Sequence, residues 1–348
     1  MSGAPPIRIG MVGGGNGAAI GGVHRLAARR TGRFDLLAGA LSSTPAKARA
    51  SGTALGLARV YDDYQTMAHA EAALANGIQA VIIVTPPHLH GEIAQTFLTR
   101  GIHVICDKPL TATLAQAERL EKAAQDAPAQ LILTHNYSAY PMIDQMRQRL
   151  AAGEIGALQR VEVTFLQDIL LRHPDRPQMQ WRGDPARGGP GGVLADLGTH
   201  ALQLLRDVTG DEVAQLRARL GNLPGRVVPD TAQVEMQLTG GASGHLHLSQ
   251  AAAGSGTDLH LRAIADKGTL VWSLAAPDRL WRGGELIVPD RPGAELNGFV
   301  HVYQAIADQL SGGECRMPVV PDGVAGMRFV GACLSAARQG AGWVAWPG

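Results

Sequence analysis

The sequence predicts an α/β domain joined to an α+β domain: a doubly wound parallel sheet in residues 1–136, then a mostly antiparallel open sheet with helices on one face in residues 137–348. Three observations lead there. The 348 residues exceed the usual length of one domain. From Ile7 to about His135, short runs rich in Val, Ile and Leu alternate with alanine-rich stretches of helical period, the pattern of a parallel sheet covered on both faces. After a helix near 139–152 the texture changes to β-forming runs between glycine-rich turns, with little helix between them.

In chain order, strands are expected near 6–12, 35–41, 79–84, 102–106 and 130–135, each short and rich in Val, Ile or Leu. The segments 20–30, 45–56, 64–75, 88–100 and 111–126 carry the 3.6-residue period of helices. In the second half, residues 160–166, 232–238, 244–251 and 259–265 read as strands, and 193–208, 297–311 and 322–338 as helices. An open sheet covered on one face invites homo-oligomer formation, as a dimer or tetramer. The run Gly188-Gly189-Pro190-Gly191-Gly192 before a helix reads as a loop with a defined task.

Composition removes several classes. Lysine and arginine number 31 against 30 acidic residues, with no long like-charge block, so no nucleic-acid partner is expected. The apolar runs, such as Ala80 to Val84, are far shorter than the roughly 20 residues of a membrane span. Met1 to Pro6 lacks the basic start and apolar core of a signal peptide, and Cys106, Cys315 and Cys333 form no C-x-x-C pair. A reducing, cytoplasmic setting without disulfides or a metal framework is expected.

Gly13-Gly14-Gly15-Asn16-Gly17-Ala18 follows the first strand and opens a helix, the setting in which G-x-G-x-x-G/A signals a dinucleotide-binding Rossmann unit. Glycines allow a tight turn and close approach of backbone amides to a pyrophosphate at the helix N-terminus, so Gly13, Gly15, Asn16, Gly17, Ala18 and Ile20 are cofactor-binding candidates. The third glycine role falls to Ala18 or, with an inserted loop, to Gly21. The second strand ends Leu41-Ser42-Ser43, where a carboxylate would select NAD by bonding the adenosine ribose. Ser42 and Ser43 suit a hydroxyl or a phosphate, and Lys47 and Arg49 are near enough to pair with a 2′-phosphate; NAD and NADP both stay open.

Three further motifs fall at strand ends: Thr85-Pro86-Pro87-His88-Leu89-His90, Cys106-Asp107-Lys108-Pro109, and Gly191-Gly192-Val193-Leu194-Ala195-Asp196-Leu197-Gly198-Thr199-His200. In this order and spacing the chain resembles, over nearly its whole length, the glucose-fructose oxidoreductase, inositol dehydrogenase and rhizopine-catabolism family, Gfo/Idh/MocA. The resemblance implies a catalytic group of Lys108, Asp196 and His200, a cis Lys108–Pro109 bond, and cofactor contacts from Thr85, Pro86, Pro87, His90, Asp107 and Lys108. It also implies that Asn136, Tyr137, Tyr140, Asp168, Trp181 and Arg182 line a polyol pocket, although Tyr140 and Trp181 fit interface packing equally well.

The residues agree with that chemistry. Asp196 and His200 stand four apart, which puts them on one face of an α-helix, and histidine is the usual group for taking a hydroxyl proton near neutrality. Gly198 between them leaves room for a ring or a substrate. The implied reaction moves a hydride between a nicotinamide and a secondary or anomeric carbinol of a sugar, cyclitol or related polyol. Relatives that oxidise a sugar transiently, cleave a glycosidic bond and return the hydride form a redox-neutral alternative. A third class, a nicotinamide-binding regulator, has no use for Lys108, Asp196 and His200. The pairs His88/His90 and His245/His247 lack a third ligand, and no metal is expected.

Overall fold

The computed structural model describes residues 5–287, 295–314 and 316–346; Cys315 lies outside the described residues. The chain forms two compact units. One comprises Met1–Thr111, Ala115–Asn136 and Asn297–Val324; the other comprises Ala112–Leu114, Tyr137–Leu296 and Ala325–Gly348.

The first unit holds β1 (Ile7–Gly13), α1 (Ala19–Thr31), β2 (Phe34–Ala40), α2 (Pro45–Ala54), β3 (Arg59–Val60), α3 (Tyr64–Ala73), β4 (Ala80–Val84), α4 (His90–Leu98), β5 (His103–Cys106), α5 (Leu114–Gln125) and β6 (Leu131–Leu133). The six strands form a sheet in the order β3-β2-β1-β4-β5-β6, parallel throughout. All five residues of β4 are buried, as a central parallel strand covered on both faces requires. The strand order reverses between β1 and β4, and ligands of such sheets bind outside the carboxyl ends at that point.

The second unit begins with α6 (Pro141–Ala151), β7 (Leu158–Gln167), α7 (Ile169–Arg172), α8 (Pro177–Arg182) and α9 (Pro185–Gly188). A π-helical turn, Leu194–Gly198, then leads into α10 (Thr199–Thr209). The strands β8 (Val213–Gly221), β9 (Thr231–Leu238), β10 (Ser243–Ser249), β11 (Thr257–Ala265), β12 (Gly268–Ser273), β13 (Leu280–Arg282) and β14 (Glu285–Ile287) follow. After α11 (Gly298–Leu310) and α12 (Val320–Arg338), β15 (Val344–Ala345) closes the sheet, whose order is β14-β13-β12-β11-β7-β10-β9-β8-β15.

This sheet is mixed, because β10 runs parallel to β7 while the other pairs are antiparallel. On β9, Ala232, Val234, Met236 and Leu238 face inward to a core that includes Met142 and Met146 of α6 and Leu202 and Leu205 of α10. The opposite face carries charged pairs such as Arg217–Glu235 and Arg262–Glu162.

Two expectations change here. Residues 297–324, read from the sequence as part of the second domain, belong to the first unit, because α11 packs on α1, with Tyr303 and Phe299 edge-on to His24. The helix expected over 193–208 opens with a π turn, so Asp196 and His200 do not share the regular α-helical face that their spacing implies. Among the described residues no helix is long and apolar enough to cross a membrane.

Candidate active site

The glycine turn joins β1 to α1 at the carboxyl edge of the first sheet. A Cβ on Gly21 would lie 2.5 Å from Gly14 Cα, so Gly21, and not Ala18, carries the close-packing role left open by the sequence. Gly17 has φ +85° with open space where its Cβ would stand. The amides of Gly15, Asn16 and Ala18 already donate to Leu41 O, Ser51 Oγ and Gly15 O at 3.2, 3.0 and 3.0 Å. That leaves Gly17 and the first turn of α1, Ala19 and Ile20, which no side chain of Ala18 caps, for an anion.

Beside Gly13, Thr85 follows β4 with its Oγ1 buried and without a protein partner. A buried hydroxyl left over at this edge fits a bound dinucleotide, as does the open space above Gly17. Pro86 and Pro87 shape the 3₁₀ turn that follows. At the end of β2, Ser42 Oγ accepts from Thr44 N at 3.1 Å, Ser43 and Lys47 are exposed, and Arg49 pairs with Asp62 at 2.6 Å. Leu41, Ser42 and Ser43 themselves supply no carboxylate.

The resemblance put His90 near the cofactor, and the structure shows what holds its ring. The ring is buried, with Nε2 2.7 Å from Thr85 O and Nδ1 3.0 Å from Pro109 O, so it ties two turns together. Burial lowers its pKa, against the pull of the two carbonyls and Asp107.

The Lys108–Pro109 bond is cis. Asp107 accepts from Thr134 Oγ1 at 3.1 Å and lies 3.7 Å from His24 Nε2. Burial pushes this carboxyl up, yet His24, Lys108 and His90 together draw it down to about 2.

In the second unit, Asp196 sits in the π turn and His200 in the first turn of α10, both buried. The His200 ring meets Tyr137 edge-on at 4.8 Å, and Tyr137 in turn meets Phe165 at 5.3 Å. Arg182 Nη1 lies 2.9 Å from Asp196 Oδ2, and Gln250 Nε2 donates to the same oxygen at 2.6 Å. Arg182 also lies over the Trp181 ring, 5.5 Å from its centroid. Asp168 Oδ1 accepts from Arg172 Nε at 2.5 Å.

Tyr140 is a packing residue: its ring is buried against Trp272 and its hydroxyl donates to Leu296 O at 3.3 Å. Asn136, the last residue of its segment in the first unit, is half-buried. Gly198 makes room for Phe329, whose ring would stand 2.9 Å from a Cβ there, and not for a substrate. The task of the 188–192 loop is close packing, since a Cβ on Gly189 or Gly192 would strike Ala112 O or Pro229 O.

Gln250 and Ser51 were not legible as site residues. Each is a lone polar residue without a motif, and only the tertiary pairing reveals it. Among the described residues no group of three or more His, Cys, Asp or Glu gathers as metal ligands.

Comparison with known proteins agrees with this geometry. Residues 7–135 match the family described as oxidoreductase family, NAD-binding Rossmann fold, and residues 143–271 match the GFO/IDH/MocA C-terminal domain. The chain is 29% identical to the uncharacterized oxidoreductase YfiI of Bacillus subtilis, over 97% of this chain and 96% of that one. An oxidoreductase of Sinorhizobium meliloti superposes with a TM-score of 0.87 at 41% identity, covering 98% of this chain and 100% of the other. An inositol dehydrogenase homolog of Azotobacter vinelandii, solved with NAD+, superposes with a TM-score of 0.91 at 31% identity, covering 99% and 98%; it was also solved with NADH and myo-inositol.

Proposed function

This chain belongs to the Gfo/Idh/MocA family of NAD(P)-dependent oxidoreductases, and from that membership we propose that it acts on a secondary or anomeric carbinol of an uncharged sugar, cyclitol or related polyol. The observation that carries the choice of an uncharged substrate is that Arg182, the cation among the pocket residues, is already engaged by a buried carboxylate. The three buried aspartates described in the second unit, Asp168, Asp196 and Asp230, are each paired with an arginine, Arg172, Arg182 and Arg226. No arginine among them is left over for a phosphate or carboxylate. The Azotobacter relative's complex with myo-inositol supports the same substrate class.

The bound nicotinamide supplies the hydride acceptor or donor. In our reading His200 takes the proton of the reacting hydroxyl, and Lys108 hydrogen-bonds that oxygen as negative charge develops on it. Asp196 orients the reacting group. Ser42, Ser43 and Lys47 accommodate either NAD or NADP. The open face of the nine-stranded sheet serves self-association, and the scattered cysteines suit the cytoplasm.

A screen of inositols, aldoses, glycosides, sugar phosphates and uronates with NAD and NADP at alkaline pH tests this. Accumulation of reduced cofactor with neutral polyols is expected. Turnover confined to phosphorylated or carboxylated sugars would overturn the substrate class, and cleavage of glycosides without net cofactor reduction would favour the redox-neutral reaction.

A further inference from the structure

Arg182 came from the sequence as a pocket residue, yet its guanidinium is committed to Asp196, and Gln250 converges on the same carboxylate oxygen from another element. We infer that Arg182 and Gln250 are positioning residues that hold the Asp196 carboxylate for the reaction, and that Arg182 is not a substrate ligand. This rests on the dehydrogenase reading above.

The Gln250 amide is anchored. Its backbone N–H donates to Asp230 O at 2.9 Å, its carbonyl accepts from Leu170 N at 3.1 Å, and the residue is 3% exposed. Asp230 is itself fixed by Arg226 Nε at 2.5 Å and Leu223 N at 2.8 Å. Gln250 therefore cannot turn toward a ligand without leaving a buried carboxylate short of a donor, which is costly.

Arg182 is constrained similarly. Its Cζ lies over the Trp181 ring, 5.5 Å from the centroid, and its side chain is 30% exposed. A guanidinium between an aromatic face and a partly buried carboxylate is a fixed fork.

The backbone under Asp196 has little freedom. Asp196 N donates to Gly192 O at 3.1 Å, and two residues later Gly198 packs against Phe329. Two donors on Oδ2 then set the plane of the carboxylate and so the direction of Oδ1. That is a means of aiming an acceptor at a hydroxyl, as precise placement of a reacting group demands.

The test is a double-mutant cycle in the full chain. Arg182→Met, Gln250→Leu and Asp196→Asn are made singly, and Arg182→Met is also combined with Asp196→Asn. Each is measured for kcat and KM with the best neutral polyol, for NADH affinity by fluorescence and for thermal unfolding. Arg182→Met should lower kcat by about 10- to 100-fold with KM within about threefold, and should cost little further in the Asp196→Asn background, because residues acting as one unit are not additive. Arg182→Lys, which keeps the charge, should recover part of the loss. NADH affinity should stay near that of the parent throughout.

A rise in KM that persists undiminished in the Asp196→Asn background would make Arg182 a substrate ligand and overturn the inference. Additive losses in kcat would overturn it as well. If Arg182→Met does not fold, Arg182→Lys and Gln250→Leu, each also combined with Asp196→Asn, carry the same comparison. A parent that binds NADH yet turns over no neutral polyol fails the dehydrogenase reading before any variant is compared, and the inference falls with it.

Discussion

His24 Nδ1 lies 2.9 Å from the Tyr303 hydroxyl, joining the helix after the glycine turn to a helix 279 residues further along the chain. Burial, with Asp107 nearby, pushes the Tyr303 phenol well above its ordinary range, so the hydroxyl keeps its proton. Asp107 Oδ1 stands 3.7 Å from Nε2, beyond hydrogen-bond length, and a neutral ring with its proton on that side leaves Nδ1 to accept from the phenol. Tyr303→Phe removes that donor from a buried site and should lower the unfolding free energy by about 1 to 3 kcal/mol in urea titration. An unchanged midpoint and slope would mean that the phenol does not bond the ring.

Asp107 should make stability depend on acidity. Its folded pKa, about 2, lies below the unfolded value of roughly 3.9. The folded state therefore binds fewer protons in this window, and the stabilisation is complete above about pH 4 and lost as the pH falls through about 2. Asp107→Asn should flatten that limb of the curve. Parallel curves for parent and variant between about pH 5 and 2, by urea unfolding, would remove the claim.

Cofactor choice should respond to the end of β2. Since Leu41, Ser42 and Ser43 supply no carboxylate and Lys47 is exposed, Ser42→Asp should weaken NADP binding by about tenfold or more through like-charge repulsion while sparing NAD. Fluorescence titration with both reduced forms reads this directly. Equal NADP affinity in parent and variant would place the 2′-phosphate elsewhere.

His200 and Lys108 should act on chemistry and not on cofactor docking, because the first turn of α1 and the Thr85 edge are what the dinucleotide would engage. His200→Ala and Lys108→Ala should each lower kcat by about 10² to 10⁴, with the NADH dissociation constant within a few-fold of the parent. Near-parental turnover in either variant would take that residue out of the mechanism.

The legible parts of this fold are those in which local pattern and tertiary fate coincide. The five apolar residues of β4 read as a buried parallel strand because such a strand has no polar face to show. The two residues of β3 carry no period at all, and the parallel pairing of β7 with β10 depends on segments about eighty residues apart that share no local signal. At the site, the glycine turn was legible because backbone geometry demands those residues. The π turn was not, since D-x-G-x-H fits the α-helical period equally well. His90 entered through the resemblance alone, and no local pattern foretold that the carbonyls of Thr85 and Pro109 hold its ring.

The return of residues 297–324 to the first unit bears on synthesis. Tyr303 and Phe299, which flank His24, and Asp308, which pairs with Arg33, leave the ribosome only after the whole of Tyr137–Leu296 has been made. At the usual pace of translation that interval is roughly ten to thirty seconds. Throughout it the nascent parallel sheet has one flank of α1 bare and the imidazole of His24 open to water. The second unit can begin to fold before the first has its last helix.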